Sequence, residues 1–354
     1  MDYLKLLCED SSLAANFDAL FDFFLLDEPT NYLDVEHIEW LKNYLINYEN
    51  AFILISHDIP FLNNCINVVY HVDAPSITRY TGNYDNFVSV YETKKKQLEA
   101  AYNRQQAEIE KMEDFIARNK ARVATRGMAN SRMKQLNKME RIELKKEKIK
   151  PEFAFQYSST PSKYLFIAND IVIGYNYPLS KPMTFTLEKN KKVAIVGANG
   201  IGKTTLLKSL LGIIDVLSGS IEHGENIDAG YFVQEEKASS QTCMQELWDT
   251  FPAYSQYEVR SALAKCGLTT EQIESQVFVL SGGEQAKLRL CKIMNTPCNL
   301  LVLDEPTNHL DQDAKDSLKE AIQAFKGTVL LVSHEPYFYE DIVDEVWDMS
   351  QYSI

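Results

Sequence analysis

The sequence predicts an α/β fold with a mostly parallel core for roughly residues 160–354, preceded by a long helical hairpin and by the tail of a second copy of the same α/β domain. Three observations predict it. A β-branched strand runs into a glycine-rich loop and then a helix over 191–212. FFLLDEPTNYLD at 23–34 recurs as LLVLDEPTNHLD at 300–311, and FILISHD at 52–58 recurs as VLLVSHE at 329–335. Between the copies lies a Lys-, Arg-, Glu- and Gln-rich stretch, nearly free of Gly and Pro, with a helical apolar period.

The repeat comes first in the chain. Asp27 maps to Asp304 and His57 to His334, both at an offset of 277. Two motifs in one register imply two copies of one domain. The copies are unequal: 26 residues precede Asp27, against more than 100 in the copy containing Asp304. The expected division is therefore the C-terminal remnant of a first copy over 1–83, a helical linker over 84–150 and a complete second copy over 160–354. Strands are expected near 23–26 and 52–55, with an apolar face left open. Residues 1–22 match nothing in the second copy.

In the linker, Leu98, Tyr102, Ile109, Met112 and Ile116 fall on one helix face. Met133, Leu136, Met139 and Ile142 mark a second helix, with a break at Thr125-Arg126-Gly127. The chain carries a net charge of −14, but Glu92–Lys150 holds 17 basic and 9 acidic side chains, a local +8. From Ile116 to Lys138 there are seven basic residues and no acid: Arg118, Lys120, Arg122, Arg126, Arg132, Lys134 and Lys138. A solvated helix surface is the ordinary reading of such a run. An acid-free tip on an acidic protein points instead to a polyanion contact, because neutralising phosphates needs such a patch.

The second copy opens on Gly197-Ala198-Asn199-Gly200-Ile201-Gly202-Lys203-Thr204, which fits G-x-x-x-x-G-K-[ST] between a strand at Val193–Val196 and a helix at Thr205–Leu211. Glycines let backbone N–H groups turn in around phosphate oxygens, and the helix start at Thr205 adds partial positive charge. Lys203 is expected on the β- and γ-phosphates and Thr204 on Mg²⁺. LLVLDEP at 300–306 supplies a buried strand, with Asp304 placed to hold Mg²⁺ and Glu305 to polarise an attacking water. LSGGEQ at 280–285 opens a helix, Ala286–Met294. Ser281, Gly282 and Gly283 there form a second anion-binding surface, expected to face a nucleotide held by another domain.

These motifs, in this order, resemble those of ABC ATPases: Walker A, Walker B at 300–305, the LSGGE signature, a D-loop at Asn308–Asp311 and a switch histidine, His334. The resemblance implies ATP and Mg²⁺ as ligands. It makes Gln234, which ends DAGYFVQ, the Q-loop residue, both catalytic and near the metal. It places an adenine-stacking aromatic at Tyr175, with Tyr177 as the rival.

The chain is most similar to the ABC-F branch, whose members join two cassettes through a helical linker. The repeat, the DEPTNHLD extension, GNY at 82–84 and the tract at 112–143 carry that resemblance over residues 23–354. The branch implies binding to the ribosome, with the linker reaching rRNA and tRNA, and members act in translation or in antibiotic resistance. In ABC enzymes each ATP lies between the Walker A of one cassette and the signature of another. The first copy here shows neither, so a second molecule is expected to complete the site, for instance in a homodimer of C-terminal cassettes. The alternatives are a nucleotide-binding fragment without turnover and the ATPase subunit of a membrane transporter.

Composition agrees with a globular protein: 45% of residues are apolar and 24% charged. The six cysteines form no C-x-x-C pair, which reads as reduced thiols rather than a metal site or disulfide frame. No stretch reads as a signal peptide or reaches the roughly 18–20 apolar residues of a membrane span. The expected location is cytoplasmic, with no membrane domain.

Overall fold

A computed structural model of the protein describes residues 23–30, 33, 35–73, 76–120, 125–142, 150–233 and 238–354. The sequence-predicted positions Gln234 and Arg122, and residues 1–22, lie outside the described residues. The chain divides into two compact units, Met1–Asp58 with Ile149–Ile354, and Ile59–Lys148.

The first unit begins with strand β1 (Phe23–Asp27), helix α1 (Val35–Asn47) and strand β2 (Ala51–Ile55). The two strands pair in parallel, Phe23 opposite Ala51 and Asp27 opposite Ile55. Strand alternation gives each strand two faces. Phe24 packs on Tyr44 of α1 and on Tyr48 just past its end, while Leu41 and Leu45 of that helix are buried. The other face is bare: Phe23, Leu25, Ile53 and Ile55 are exposed.

The second unit runs from helix α2 (Ile59–Cys65) through an antiparallel hairpin, β3 (Val68–Asp73) and β4 (Ser76–Thr81), into helix α3 (Tyr84–Asn119) and helix α4 (Arg126–Lys138). Gly82 makes the turn at φ +106°, and the Asn83 side chain caps α3 by accepting from the Asn86 backbone N–H. Phe87 seats the helix in an aromatic cluster with His71, Tyr80 and Tyr91. The linker differs from the sequence expectation in two ways. Helix α4 starts at Arg126 and stops at Lys138, so Met139 is its extended cap and Ile142 lies beyond it. At 1.5 Å per residue, α3 is about 54 Å long and α4 about 20 Å. The short helix therefore covers only the distal part of the long one: Ile109, Met112 and Ala129 are buried, while Leu98 is exposed. Beyond α4 the Gln105 side chain holds the returning chain, donating to the Glu140 carbonyl (2.8 Å) and accepting from the Ile142 N–H (2.8 Å).

The rest of the first unit is a complete α/β cassette. Strands β5 (Tyr164–Val172) and β6 (Met183–Glu188) precede β7 (Lys192–Val196) and helix α5 (Lys203–Leu210). Strands β8 (Ser218–His223) and β9 (Ala229–Phe232) lead to helices α6 (Cys243–Thr250), α7 (Gln256–Lys265), α8 (Thr270–Glu274) and α9 (Gly282–Met294). Strand β10 (Leu300–Asp304), helix α10 (Gln312–Ala324), strand β11 (Thr328–Val332), helix α11 (Pro336–Tyr339) and strand β12 (Glu345–Asp348) complete it. The parallel sheet runs β12-β7-β11-β10-β9, and the antiparallel strands form a separate sheet, β6-β5-β8, rather than an edge of the parallel one. Helices α6 to α9 each open on a capping box whose sequence is Ser or Thr followed three residues later by Gln or Glu. Ser281 is the cap of α9, so the helix begins at Gly282, four residues before the expected start.

The central parallel strands β7, β11 and β10 are buried on both faces, as a doubly covered sheet requires, while the edge strand β12 is not. In β10, Leu300 and Val302 join the core beneath α5 and the antiparallel sheet, while Leu301 and Leu303 join the core of the helical side. Five of the six cysteines are described, and all are free thiols.

Candidate functional site: a phosphate loop and two acids at strand ends

The glycine loop leaves the end of β7, where the core pins Val193, Ala194 and Ile195. Gly197, Gly200 and Gly202 have φ of +142°, +81° and +102°, a region that favours glycine. A Cβ on Gly202 would come within 3.1 Å of Ile173, whereas one on Gly200 would meet nothing within 4 Å, so the crown of the loop faces open space. Gly202 caps α5, whose first turn contains Lys203, Thr204 and Thr205. Lys203 is buried and folds back on the loop, donating to the carbonyls of Gly197 (2.8 Å) and Ala198 (2.9 Å).

Asp304 ends β10, fully buried, and accepts a 2.8 Å hydrogen bond from the Thr204 hydroxyl. Burial pushes its pKa up to about 6, against the opposing Thr204 hydrogen bond, and the neighbouring Glu305 adds to the rise. Its second oxygen, Oδ1, has no hydrogen-bond partner among the described residues. A buried carboxylate oxygen without a partner, beside a hydroxyl, is an oxygen donor set suited to a hard cation.

Glu305 follows at φ +50°, turned out of the strand line while its N–H still reaches the Val332 carbonyl (3.0 Å). Its Oε1 lies 3.0 Å from His334 Nε2, though the pair is not aligned as a hydrogen bond. The first copy repeats this arrangement residue for residue. Glu28 has φ +45°, its N–H reaches the Ile55 carbonyl (2.8 Å), and its carboxylate lies 3.5 Å from His57 Nε2. Burial raises the Glu28 carboxyl, with His57 opposing.

The signature segment is built differently. The Ser281 hydroxyl is engaged with the Glu284 N–H, and Ser281 and Gly282 are exposed at the start of α9. A Cβ on Gly283 would stand 2.5 Å from the His309 carbonyl, so this glycine lets the D-loop pass close beneath the helix. Tyr175 and Tyr177 are both exposed, and neither is singled out by its packing. The Tyr231 phenol, its hydroxyl buried without a partner among the described residues, is raised by burial and then by Asp304 and Tyr175.

Sequence reasoning missed a charged group behind the switch histidine. Lys315 is buried, contacts Glu335 Oε1 (2.7 Å) and the Tyr337 hydroxyl (3.3 Å), and Tyr337 donates to Glu335 Oε2 (2.7 Å). The available signal was Asp311, Lys315 and Lys319 at helical spacing of four.

Two family models, both described as ABC transporter, match residues 70–155 and 180–308. An uncharacterized ABC transporter ATP-binding protein of Bacillus subtilis, YfmM, is 61% identical over 94% of this chain and 64% of its own length. ABC transporter F family member 2 of Arabidopsis thaliana is 35% identical over 92% of this chain and 49% of its own. The chain thus spans about half to two-thirds the length of these relatives. A solved structure titled RNase-L Inhibitor shares the fold, with a TM-score of 0.56 at 18% identity, over 92% of this chain and 57% of its own. Motif order, parallel-sheet topology and these relatives agree: the chain belongs to the ABC ATPases of the ABC-F type.

Proposed function

We propose that this chain binds ATP with Mg²⁺ at Gly197–Thr205, hydrolyses it when a second cassette closes on that site, and acts on the ribosome in the cytoplasm. The observation that carries the nucleotide reading is the convergence of Thr204, Asp304, Glu305 and His334 at the mouth of one glycine loop. Backbone N–H groups of 198–203 and the α5 start cradle the phosphates. Lys203 exchanges two loop carbonyls for phosphate oxygens, which keeps its ammonium paired. Thr204 Oγ1 and Asp304 Oδ1 would hold the cation, which neutralises charge developing on the phosphates. Glu305 accepts the proton of the attacking water, and His334 holds Glu305 in place. Gln234 is assigned to the same water and metal from the family motif. Tyr175 is assigned to adenine stacking. Ser281, Gly282 and Gly283, at a helix N-terminus open to solvent, serve the ATP of the partner cassette, as a homodimer of C-terminal cassettes would arrange.

The ribosomal part of the proposal rests on the linker. Arg126, Lys134 and Lys138 are exposed on α4, and Arg132 is exposed while stacking on Phe115 at 4.1 Å. Arg118 is exposed and pairs with Asp114 (3.1 Å). The resemblance to the ABC-F branch implies the same reading, and an ABC transporter subunit would leave this basic tip without a role. Among the described residues no helix is long and apolar enough to cross a membrane. The test is ATP turnover by the purified chain with and without ribosomes, with Lys203→Ala as the blank. Ribosome-stimulated turnover that disappears in the blank supports the proposal. Binding without turnover in both conditions reduces it to a nucleotide-binding chain.

A further inference from the structure

The internal repeat supplies its own control. At the offset of 277, the two copies share the aspartate, the glutamate and the histidine of the strand ends, but not what stands behind the histidine. In the second copy Glu335 follows His334, and in the first Asp58 follows His57. Both turns are made alike: the N–H of Glu335 and that of Asp58 each bond the serine hydroxyl two residues back, at 3.1 Å. The positions of Lys315 and Tyr337, however, are occupied in the first copy by Ile38 and Pro60. Neither side chain carries a charge or a donor, so those positions cannot rebuild the ion pair that stands behind His334.

Its geometry joins three segments. Asp311 ends the D-loop and caps α10, accepting from the Ala314 N–H at 2.9 Å, and its other oxygen takes Lys287 of α9 at 3.0 Å. One helical turn on, Lys315 grips Glu335 and the Tyr337 hydroxyl, and a further turn on, Lys319 donates to the Tyr337 carbonyl (2.8 Å) and pairs with Asp341 (3.1 Å). One face of α10 therefore holds the signature helix at one end and the segment after His334 at the other. Lys315 is 5% exposed, so its charge is held in a fixed geometry rather than in solvent.

We infer that Lys315, through Glu335 and Tyr337, is a positioning residue that fixes His334 against Glu305 and ties that geometry to the signature helix through Asp311 and Lys287. Its own contacts are to Glu335 and the Tyr337 hydroxyl, so it acts through them. The inference rests on the ATPase reading of the same site, and it adds that this clamp belongs to the second copy, since Ile38 stands at the position of Lys315 in the first.

The test uses the full chain with ¹⁵N-labelled histidine, at constant pH, in wild type, Lys315→Met, Lys315→Arg and the double variant Lys315→Met/Glu335→Gln. The double variant leaves no unpaired buried charge, so it keeps the inference testable where Lys315→Met folds poorly. The expected result is a displaced His334 ring-nitrogen resonance in Lys315→Met and in the double variant, with Lys315→Arg close to wild type. Turnover, where ribosomes support it, falls by about 10²-fold in the displaced variants, the scale of a catalytic group moved by an ångström. Binding of a fluorescent ATP analogue changes less than about two-fold, because the clamp lies behind His334 and not on the nucleotide. An unmoved His334 resonance in the double variant overturns the inference, as does an arginine variant as displaced as the methionine one. Failure of the wild-type chain to bind the analogue at all would sink the nucleotide reading instead, and the His334 resonance would still decide the clamp.

Discussion

At the scale of single residues, Asp304 shows how burial and function oppose each other. Its pKa is raised from the usual carboxylate range to about 6, chiefly by burial. A raised acid pKa means the native state holds a proton that the unfolded chain has released. The associated stability is therefore fully present below about pH 4 and is lost as pH rises through 6. In Mg²⁺-free buffer the chain is expected to become less stable by on the order of 2 kcal/mol across that window. Asp304→Asn should flatten the dependence in denaturant melts at about pH 4.5 and 7.5, on either side of the raised value, and an unchanged slope would contradict the assignment. Lys203 gives a second test. Its ammonium holds loop carbonyls that phosphate oxygens would replace, so Lys203→Ala should leave the fold intact while weakening ATP binding at least about ten-fold, read by a fluorescent analogue.

At the scale of elements, the two copies of one strand pair have opposite sensitivities. Leu25 is 72% exposed, whereas its equivalent Val302 is fully buried between β9, β11 and the α5 side of the core. Leu25→Asp should change the stability of this chain by no more than about 0.5 kcal/mol. Val302→Asp buries an unpaired charge and should cost more than about 4 kcal/mol, unfolding the cassette. Urea melts of the two variants decide this, and equal losses would show that the bare face is covered in solution. The strands of both copies were legible in the sequence because repeat and alternation are local patterns. The second linker helix was legible too, but not its end: it has the apolar residues to continue but stops at Lys138, where the chain after it bonds Gln105.

At the scale of the whole molecule, the proposed pairing sets the exposed start of the signature helix in one cassette against the glycine loop of another. Glu305→Gln should trap ATP and give ATP-dependent dimers in sizing experiments, and a variant that stays monomeric with ATP would rule out homodimeric pairing. The acid-free linker tip makes a separate prediction. Charge-reversing Arg126, Lys134 and Lys138 should weaken ribosome pelleting. It should also make the slope of log K against log salt shallower by roughly 0.7–0.9 for each phosphate that is no longer neutralised. A salt slope equal to wild type would show that the tip touches no phosphate.

The sequence by itself determined the class of fold, the glycine loop, the acids at the strand ends and the duplication, because each depends on short-range spacing or on residues that backbone geometry makes irreplaceable. It could also mark Asp304 and Glu305 as candidates at a strand end, but strand alternation alone would turn them to opposite faces, and it is the positive φ of Glu305 that takes it out of the strand line. Only the tertiary structure decided that Thr204 and Asp304, 100 residues apart, share a hydrogen bond, and that Glu305 and His334 meet at 3.0 Å. It alone revealed Lys315 behind the switch histidine, and it left Tyr175 and Tyr177 both exposed. The physical reason is that a charge on a helix looks the same in sequence whether it faces water or another charge. Burial and partner are set by packing between distant segments, and packing is what the fold supplies.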